Sequence, residues 1–416
     1  MKVVKIATAG SVDDGKSTLI GRILYETNSL TDDKLLAIEE KSKINGFDYL
    51  DFSLATDGLL AEREQGITID VAHLYFSHQN TSFIIADTPG HKEYTRNMIT
   101  GASTSDASII LIDARKGVVE QTYRHFFITQ LLQMKEIIVC VNKMDLVDYN
   151  QNKYLEIVEY VKYLAESFGA DLSKIHFVPV SALKGENILN TSNEMPWFNG
   201  LSLISLIHRL EGVSSDENSL MRYPVQQVIR PKKEEYHDYR AYAGKVYGNA
   251  IEVGEKVRLY PSENEAVVSG ISVFEGALNR ASQGMSVSIM LDRELNLSRG
   301  DLLVKVGEEP QVAKQIKAKL CWMNSDALRL GGVYLLQHGL HIVKAKVQEI
   351  QGVYDITKGQ LSDSAKSELQ LNEIGLVELK LSKPIYYDNF SESRSNGSFI
   401  LIDNKSNNTA GLGFIV

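Results

Sequence analysis

A glycine-rich stretch near the N-terminus has the residue types that bind phosphate groups. Residues 10–17 read G-S-V-D-D-G-K-S and fit the pattern G-x-x-x-x-G-K-[ST]. Glycines let the backbone approach phosphate oxygens, and successive N–H groups form a nest at a helix N-terminus. We predict that Lys16 reaches the β- and γ-phosphates and that the Ser17 hydroxyl binds Mg²⁺. The predicted phosphate-binding residues are Gly10, Ser11, Val12, Asp13, Asp14, Gly15, Lys16, Ser17 and Thr18.

A second turn, D-T-P-G, follows the apolar run Phe83–Ala86. An aspartate at the end of a buried strand can hold a water bound to Mg²⁺, and the glycine N–H can bond a γ-phosphate. Alone the pattern is weak, but its place after the phosphate loop and at a strand end strengthens it. The predicted residues of this turn are Asp87, Thr88, Pro89 and Gly90.

Two further strand ends carry residues that can select a base. The sequence N-K-M-D follows the run Ile137–Val141, and S-A-L follows Ile175–Val180. The Asp145 carboxylate can accept hydrogen bonds from N1–H and the exocyclic amino group of guanine, a donor pattern that adenine lacks. The Ala182 N–H could meet the guanine oxygen. The predicted base-binding residues are Asn142, Lys143, Met144, Asp145, Ser181, Ala182 and Leu183. In this order, the four motifs indicate GTP binding.

The elements that must position these motifs alternate along the first half of the chain. Short apolar runs are separated by amphipathic stretches such as Gln121–Gln133 and Lys153–Phe168, which predicts a mainly parallel sheet covered by helices. The apolar runs are Val3–Thr8, Ser82–Ala86, Ser108–Ile112, Ile137–Val141 and Ile175–Val180. We expect this α/β domain to span residues 1–213, with Ser214–Ser219 as a polar linker.

The second half reads as all-β. Short β-rich runs at close spacing, punctuated by glycines, predict one barrel over residues 220–306 and another over 311–416, with a break at Gly307–Pro310. The predicted strands are Val225–Ile229, Tyr242–Tyr247, Lys256–Tyr260, Ala266–Val273, Ser286–Leu291 and Leu302–Val306, then Gln315–Met323, Val333–Gln337, His341–Ile350, Gly375–Leu381, Ser398–Asp403 and Gly411–Val416.

Composition excludes several classes of protein. The net charge of −9 disfavours nucleic acid as the main partner, because neutralising many phosphates requires a basic face. The two cysteines, Cys140 and Cys321, lie in apolar runs, and we expect both in the core instead of in a disulfide framework. The chain lacks a signal-peptide pattern and an apolar run near the ~20 residues that span a bilayer. We therefore expect a soluble, cytoplasmic protein.

The four motifs resemble those of the GTPase superfamily, and Glu62–Ile69, which reads E-R-E-Q-G-I-T-I, is similar to the translation-factor class. That resemblance implies that Thr68 coordinates Mg²⁺ and that His91 orients the attacking water. It also implies that Asp13 helps to bind the region of the β- and γ-phosphates. The implied metal ligands are Ser17, Thr68 and Asp87, and the implied catalytic residues are Lys16, Thr68 and His91.

Within this class the chain resembles the large subunit of bacterial sulfate adenylyltransferase. Asp14 stands where elongation factors usually carry histidine, and the stretch Tyr25–Glu62 resembles that family's long switch region. Ala241 and Gly200–Ile204 depart from the pattern at positions not expected to touch nucleotide. The stretches that carry the resemblance are V-D-D-G-K-S-T-L-I-G-R (12–22), D-A-R-K-G-V (113–118), N-K-M-D-L-V-D-Y (142–149), R-Y-P-V-Q (222–226), S-R-G-D (298–301) and F-I-L-I-D (399–403).

The resemblance implies a division of labour between two subunits. This chain would hydrolyse GTP with Mg²⁺, and a separate small subunit would convert ATP and sulfate to adenosine 5′-phosphosulfate and diphosphate. One phosphate-loop motif is present and none follows the barrels, so we expect no fused adenylylsulfate kinase. The alternative is an elongation-factor-like carrier of aminoacyl-tRNA, which shares the GTPase domain and two barrels.

Overall fold

A computed structural model of the chain describes residues 3–44, 46–55, 68, 70–210, 219–231, 240–362 and 366–416. The chain forms two units, Met1–Ser214 with Asp355–Gln360, and Ser215–Tyr354 with Leu361–Val416. Most of the predicted linker, the stretch Asp57–Leu59 and the E-R-E-Q-G-I-T-I motif other than Thr68 lie outside the described residues. The predicted domain boundaries stay predictions.

The first unit is built on a six-stranded sheet in the order β2-β3-β1-β4-β5-β6. Strand β2 pairs antiparallel to β3, and the remaining pairs are parallel. The apolar runs produce strands that are almost continuously buried, as expected when helices cover both faces. The strands are β1 Val3–Gly10, β2 Ala72–His78, β3 Thr81–Asp87, β4 Ala107–Asp113, β5 Glu136–Asn142 and β6 Ile175–Pro179.

Helices connect these strands, and local residues set where several of them begin. The Asn150 side chain accepts the N–H groups of Asn152 and Lys153 at the start of α5, and Ser202 accepts that of Ser205 at the start of α6. A 3₁₀ helix, Phe52–Ala55, lies between α2 and β2. The α-helices are α1 Lys16–Glu26, α2 Asp32–Ile44, α3 Thr95–Ala102, α4 Glu120–Leu131, α5 Gln151–Ser167 and α6 Leu203–Arg209.

The first barrel closes through six antiparallel strands in the order β10-β15-β7-β8-β14-β11, with β11 returning to β10. Its core contains Tyr223, whose hydroxyl donates to the carbonyls of Tyr242 and Val287. Strand β12 extends the sheet, and β9 pairs with β13. The strands are β7 Tyr223–Ile229, β8 Ala241–Lys245, β9 Ile251–Glu252, β10 Lys256–Tyr260, β11 Glu265–Val273, β12 Gly276–Leu278, β13 Arg280–Ala281, β14 Ser286–Leu291 and β15 Leu302–Lys305.

The second barrel closes in the order β18-β23-β24-β16-β22-β19, with β19 returning to β18. Trp322 is fully buried in its core. The fold is therefore an α/β domain followed by two six-stranded antiparallel barrels. The strands are β16 Gln311–Trp322, β17 Leu328–Arg329, β18 Val333–His338, β19 His341–Asp355, β20 Gln360–Leu361, β21 Glu368–Leu369, β22 Ile374–Tyr387, β23 Ser398–Ile402 and β24 Thr409–Ile415.

Cys140 and Cys321 are both free and buried, as predicted. In the described part of the chain, no helix is long and apolar enough to cross a membrane.

Candidate nucleotide-binding site

The phosphate loop connects β1 to α1 at the carboxyl edge of the sheet. Gly15 precedes the helix with φ 89°, and a Cβ there would lie 2.5 Å from the Asn142 Nδ2, so both conformation and space require glycine. The Asp14 carboxylate accepts the Ser11 N–H at 2.8 Å. Burial of Asp14 raises its carboxyl pKa to about 6.

Lys16 is 7% exposed and lies among the groups predicted to hold Mg²⁺. Its Nζ lies 2.5 Å from Asp87 Oδ1 and donates to Thr68 Oγ1 at 2.8 Å. Thr8 Oγ1 donates to the same Asp87 oxygen at 3.3 Å. The structure therefore brings together residues from the phosphate loop, the D-T-P-G turn and the G-I-T motif.

A cavity of about 310 Å³ opens beside these residues. Most of the predicted phosphate-loop residues line it, together with the predicted residues Gly90 and Lys143. Ser53 also lines it, and the sequence analysis did not assign this residue to the site. Its lining is Gly10, Ser11, Val12, Asp13, Gly15, Lys16, Ser17, Thr18, Ser53, Thr68, Gly90 and Lys143.

His91 is partly exposed and does not belong to that lining. Its Nδ1 accepts the Glu93 N–H at 3.3 Å, and the ring lies 3.9 Å from the Glu93 carboxylate. Thr88 is buried and donates its hydroxyl to the Thr8 carbonyl at 2.6 Å. Pro89 is also buried. The structure thus anchors the D-T-P-G turn to β1, while the role of His91 with water stays a prediction.

The predicted base-binding residues form a second cluster at the ends of β5 and β6. The Ser181 hydroxyl donates to Asp145 Oδ1 at 2.6 Å, which orients the carboxylate assigned to guanine. Asn142 Nδ2 donates to the Asp14 carbonyl at 2.8 Å and so connects this cluster to the phosphate loop. Met144 is fully buried beneath it.

The Ala182 N–H donates to Asn142 Oδ1 at 3.0 Å. In the structure this N–H is therefore bonded to a side chain of the same cluster. The contact of the Ala182 N–H with the guanine oxygen stays a prediction. The Leu183 carbonyl accepts from Arg22 Nη2. The backbone of residues 181–183 is therefore held from both sides.

Asp113 contacts Lys143 beside the candidate site, and the sequence analysis gave it no role. Its carboxylate accepts from Arg115 Nη2 at 2.7 Å and lies 3.1 Å from Lys143 Nζ. Burial raises the pKa of Asp113, but the hydrogen bonds from Arg115 and Lys143 outweigh burial and hold the pKa at about 2. A charged Asp113 fixes Lys143, whose Nζ also donates to the Asp13 carbonyl.

The residues present fit GTP with Mg²⁺. The predicted ligands Ser17, Thr68 and Asp87 offer hydroxyl and carboxylate oxygens, which Mg²⁺ prefers. Ser11 Oγ is buried without a hydrogen-bond partner among the described residues, at a position where a phosphate oxygen could supply one. The described residues include no group of three or more His, Cys, Asp or Glu side chains that could hold a metal ion.

Comparisons with known proteins match both ends of the chain to described families. The family described as "Elongation factor Tu GTP binding domain" matches residues 1–228, and "GTP-eEF1A C-terminal domain-like" matches residues 315–416. The S. cerevisiae Ski7 GTPase-like domain bound to GTP aligns over 100% of this chain and 97% of its own, with a TM-score of 0.54. At 18% identity, this structure supports the fold alone.

Relatives that align over the whole of this chain identify a narrower family. Sulfate adenylyltransferase subunit 1 of Colwellia psychrerythraea is 43% identical over 100% of this chain and 88% of the relative. The proteins of the same name from Aeromonas hydrophila and Bacteroides fragilis are 45% and 42% identical, each over 100% of this chain and 86% of the relative. The chain therefore belongs to the sulfate adenylyltransferase subunit 1 family, within the class of proteins that carry an elongation-factor-type GTP-binding domain.

Proposed function

We propose that this chain is the GTP-hydrolysing subunit of a sulfate adenylyltransferase. It couples GTP hydrolysis to the reaction of ATP and sulfate that gives adenosine 5′-phosphosulfate and diphosphate. The full-length identity to relatives named sulfate adenylyltransferase subunit 1 carries this proposal. A cytoplasmic location is part of it, because both nucleotides are available there.

The predicted catalytic and metal-binding residues each have a task in this reaction. Lys16 and the Gly90 N–H bind the γ-phosphate, and Asp145, oriented by Ser181, binds the guanine edge. His91 orients the water that attacks the γ-phosphorus. Ser17, Thr68 and Asp87 hold Mg²⁺, which when bound neutralises charge on the β- and γ-phosphate oxygens.

A partner subunit is implied by the name "subunit 1" that the relatives carry. We infer that the partner contains the ATP and sulfate site, because this chain carries a single phosphate-loop motif and its base-binding aspartate selects guanine. Adenylylation of sulfate is uphill, since the phosphate–sulfate anhydride releases much free energy on hydrolysis. GTP hydrolysis supplies the free energy that this step requires.

The elongation-factor-like alternative is not favoured. The domain match to elongation factor Tu applies to both functions, whereas the relatives of full length are named for sulfate adenylylation. The net charge of −9 also disfavours a carrier of tRNA.

The experiment mixes this chain with its small subunit, ATP and sulfate, and follows diphosphate release with and without GTP. We expect GTP to raise both the rate and the extent of release. The control variant is Asp145→Asn, which should respond to xanthosine triphosphate in place of GTP. Release that is independent of the guanine nucleotide would contradict coupling, even if GTP were hydrolysed.

A further inference from the structure

Arg22 connects helix α1 to the loop assigned to guanine. Its Nε donates to the Ala182 carbonyl at 3.0 Å, and its Nη2 donates to the Leu183 carbonyl. Both carbonyls are therefore held on the α1 side of the loop. Because the Ala182 N–H is held by Asn142, rotation of this backbone would break bonds at two places.

The same guanidinium lies against Phe52 in the 3₁₀ helix Phe52–Ala55. Its Cζ is 4.3 Å from the Phe52 ring centroid, within the range of a cation–π contact. The Tyr25 ring, one turn along α1, is 5.0 Å from the same ring. Phe52 is 2% exposed, so these contacts bury it almost completely.

Helix α1 also approaches the backbone of this segment closely. A Cβ at Gly21 would lie 2.0 Å from the Phe52 carbonyl oxygen, so a side chain there would displace the segment. The next residue, Ser53, lines the nucleotide cavity. The segment is thus packed between α1 and the cavity.

Arginine has the shape that this position needs. Its planar fork can donate to two carbonyls while its face contacts a ring, which the single ammonium of lysine cannot do. The side chain is 14% exposed, and Glu26 Oε1 lies 3.7 Å from Nη1. The guanidinium is therefore held on three sides.

We propose that Arg22 is a positioning residue that links the guanine-binding loop to the segment Phe52–Ala55. Binding of the base then orders this segment, which precedes Thr68 in the chain. By linkage, ordering of the segment strengthens binding of the base to the same degree. This inference rests on the proposed GTP site.

The test places an environment-sensitive dye at residue 55 through Ala55→Cys. Both native cysteines are buried, so labelling is selective. In the labelled parent, saturating GDP should change the dye emission. In Arg22→Lys we expect GDP affinity to fall roughly 10- to 100-fold, since a compact ammonium lacks the planar fork that holds both carbonyls at once, and the emission change to disappear at saturation.

A second variant distinguishes loss of the link between the guanine-binding loop and Phe52–Ala55 from a simple loss of GDP affinity. Phe52→Leu retains the carbonyl contacts of Arg22, so GDP affinity should stay within about threefold while the emission change is lost. The exposed Arg209→Lys serves as the control and should match the parent. An emission change of full amplitude at saturation in Arg22→Lys or Phe52→Leu would overturn the proposal.

The two proposals fail differently. If the parent protein bound no GDP or GTP, the proposed function would be wrong. If the parent bound both but the Arg22 and Phe52 variants behaved like Arg209→Lys, the link alone would be wrong.

Discussion

The Lys16 ammonium lies 2.5 Å from the Asp87 carboxylate, and both side chains are buried. Lys16 also donates to Thr68, so the groups assigned to the γ-phosphate and to Mg²⁺ contact one another directly. In this arrangement the aspartate neutralises the lysine charge. On the proposed assignment, a bound triphosphate with Mg²⁺ would exchange these partners: Lys16 would bond phosphate oxygens, and Asp87 would be among the residues that hold the metal.

Replacing the lysine tests the phosphate assignment. Lys16→Ala should weaken GTP binding by about 100-fold or more, because charge-assisted bonds to phosphate are lost. It also leaves the Asp87 carboxylate buried without its cation. Isothermal titration calorimetry measures the change, with the exposed Lys5→Ala as control. A GTP affinity in Lys16→Ala within about threefold of the parent's would contradict the assignment.

Replacing the aspartate should separate phosphate binding from metal binding. Asp87→Asn removes the ion pair and leaves Lys16 available for phosphate, so GDP affinity measured in EDTA should be unchanged or higher. The increase in affinity that Mg²⁺ produces should be lost, because the carboxylate no longer orients metal-bound water. The measurement is GDP dissociation at stepped Mg²⁺ concentrations. An unchanged dependence on Mg²⁺ would exclude Asp87 from the metal site.

The base assignment predicts a switch in nucleotide preference. In Asp145→Asn the side-chain amide places an N–H donor opposite the exocyclic amino group of guanine, which is itself a donor. Xanthine carries a carbonyl oxygen at that position, which can accept. Affinity should therefore shift from GTP towards xanthosine triphosphate. Ser181→Ala provides the matched comparison, because it removes the hydroxyl that orients the carboxylate and should weaken GTP binding without changing preference. Competition against labelled GDP measures both. Unchanged GTP affinity in Asp145→Asn would refute the base site.

Local sequence patterns predicted most of the strands. Lys256–Tyr260 and Ser286–Leu291 have the predicted bounds, and Ile137–Val141 is one residue short at each end. Alternation of apolar residues and glycine punctuation are local signals, and they suffice for such elements. Helix α2 was not predicted, since its apolar residues are few and only Ile38 and Ser42 are buried.

Contacts between residues distant in sequence were not predictable. The Arg22 side chain donates to the backbone carbonyls of residues 182 and 183. Every residue has such a carbonyl, so the sequence does not show which of them an arginine binds. Ser53 reaches the cavity because Gly21 permits close approach of its segment. The motifs predicted which residues hold the nucleotide, whereas the contacts that position those residues required the structure.

A buried histidine predicts how stability responds to acid. His125 on α4 is fully buried, and burial, reinforced by the nearby charges of Lys16 and Arg124, lowers its pKa to about 3. The unfolded chain has the ordinary value near 6.5, so between these values the unfolded state binds more protons. Stability should therefore fall as pH drops below about 6.5, with a limiting slope of about 1.4 kcal/mol per pH unit from this residue.

Circular dichroism at 222 nm can follow this effect, because the described α-helices all lie in the first unit. His125→Asn should be less stable near neutral pH but show a flatter decline between pH 7 and pH 5. The exposed His73→Asn should decline in parallel with the parent. Parallel curves for His125→Asn and the parent would contradict the pKa assignment.

The buried ion pair between Arg222 and Asp388 joins the two barrels and gives the last prediction. The guanidinium donates through Nε and Nη2 at 2.7 and 2.6 Å, and Asn396 Nδ2 donates to the same carboxylate at 2.7 Å. Asp388→Ala leaves a buried cation unpaired and should cost about 3–5 kcal/mol. Arg222→Met combined with Asp388→Leu should cost less than Asp388→Ala alone, because no isolated charge remains.

Urea unfolding followed by tryptophan fluorescence measures these changes in the free energy of unfolding. In a Trp197→Phe background Trp322, in the core of the second barrel, is the sole tryptophan. The exposed pair Arg280–Glu252 supplies the control, and Glu252→Ala should change the midpoint little, because solvent screens that pair. A double variant that costs the sum of its two single changes would mean that Arg222 and Asp388 contribute independently. In that case the joint between the barrels would depend on apolar packing instead of on the ion pair.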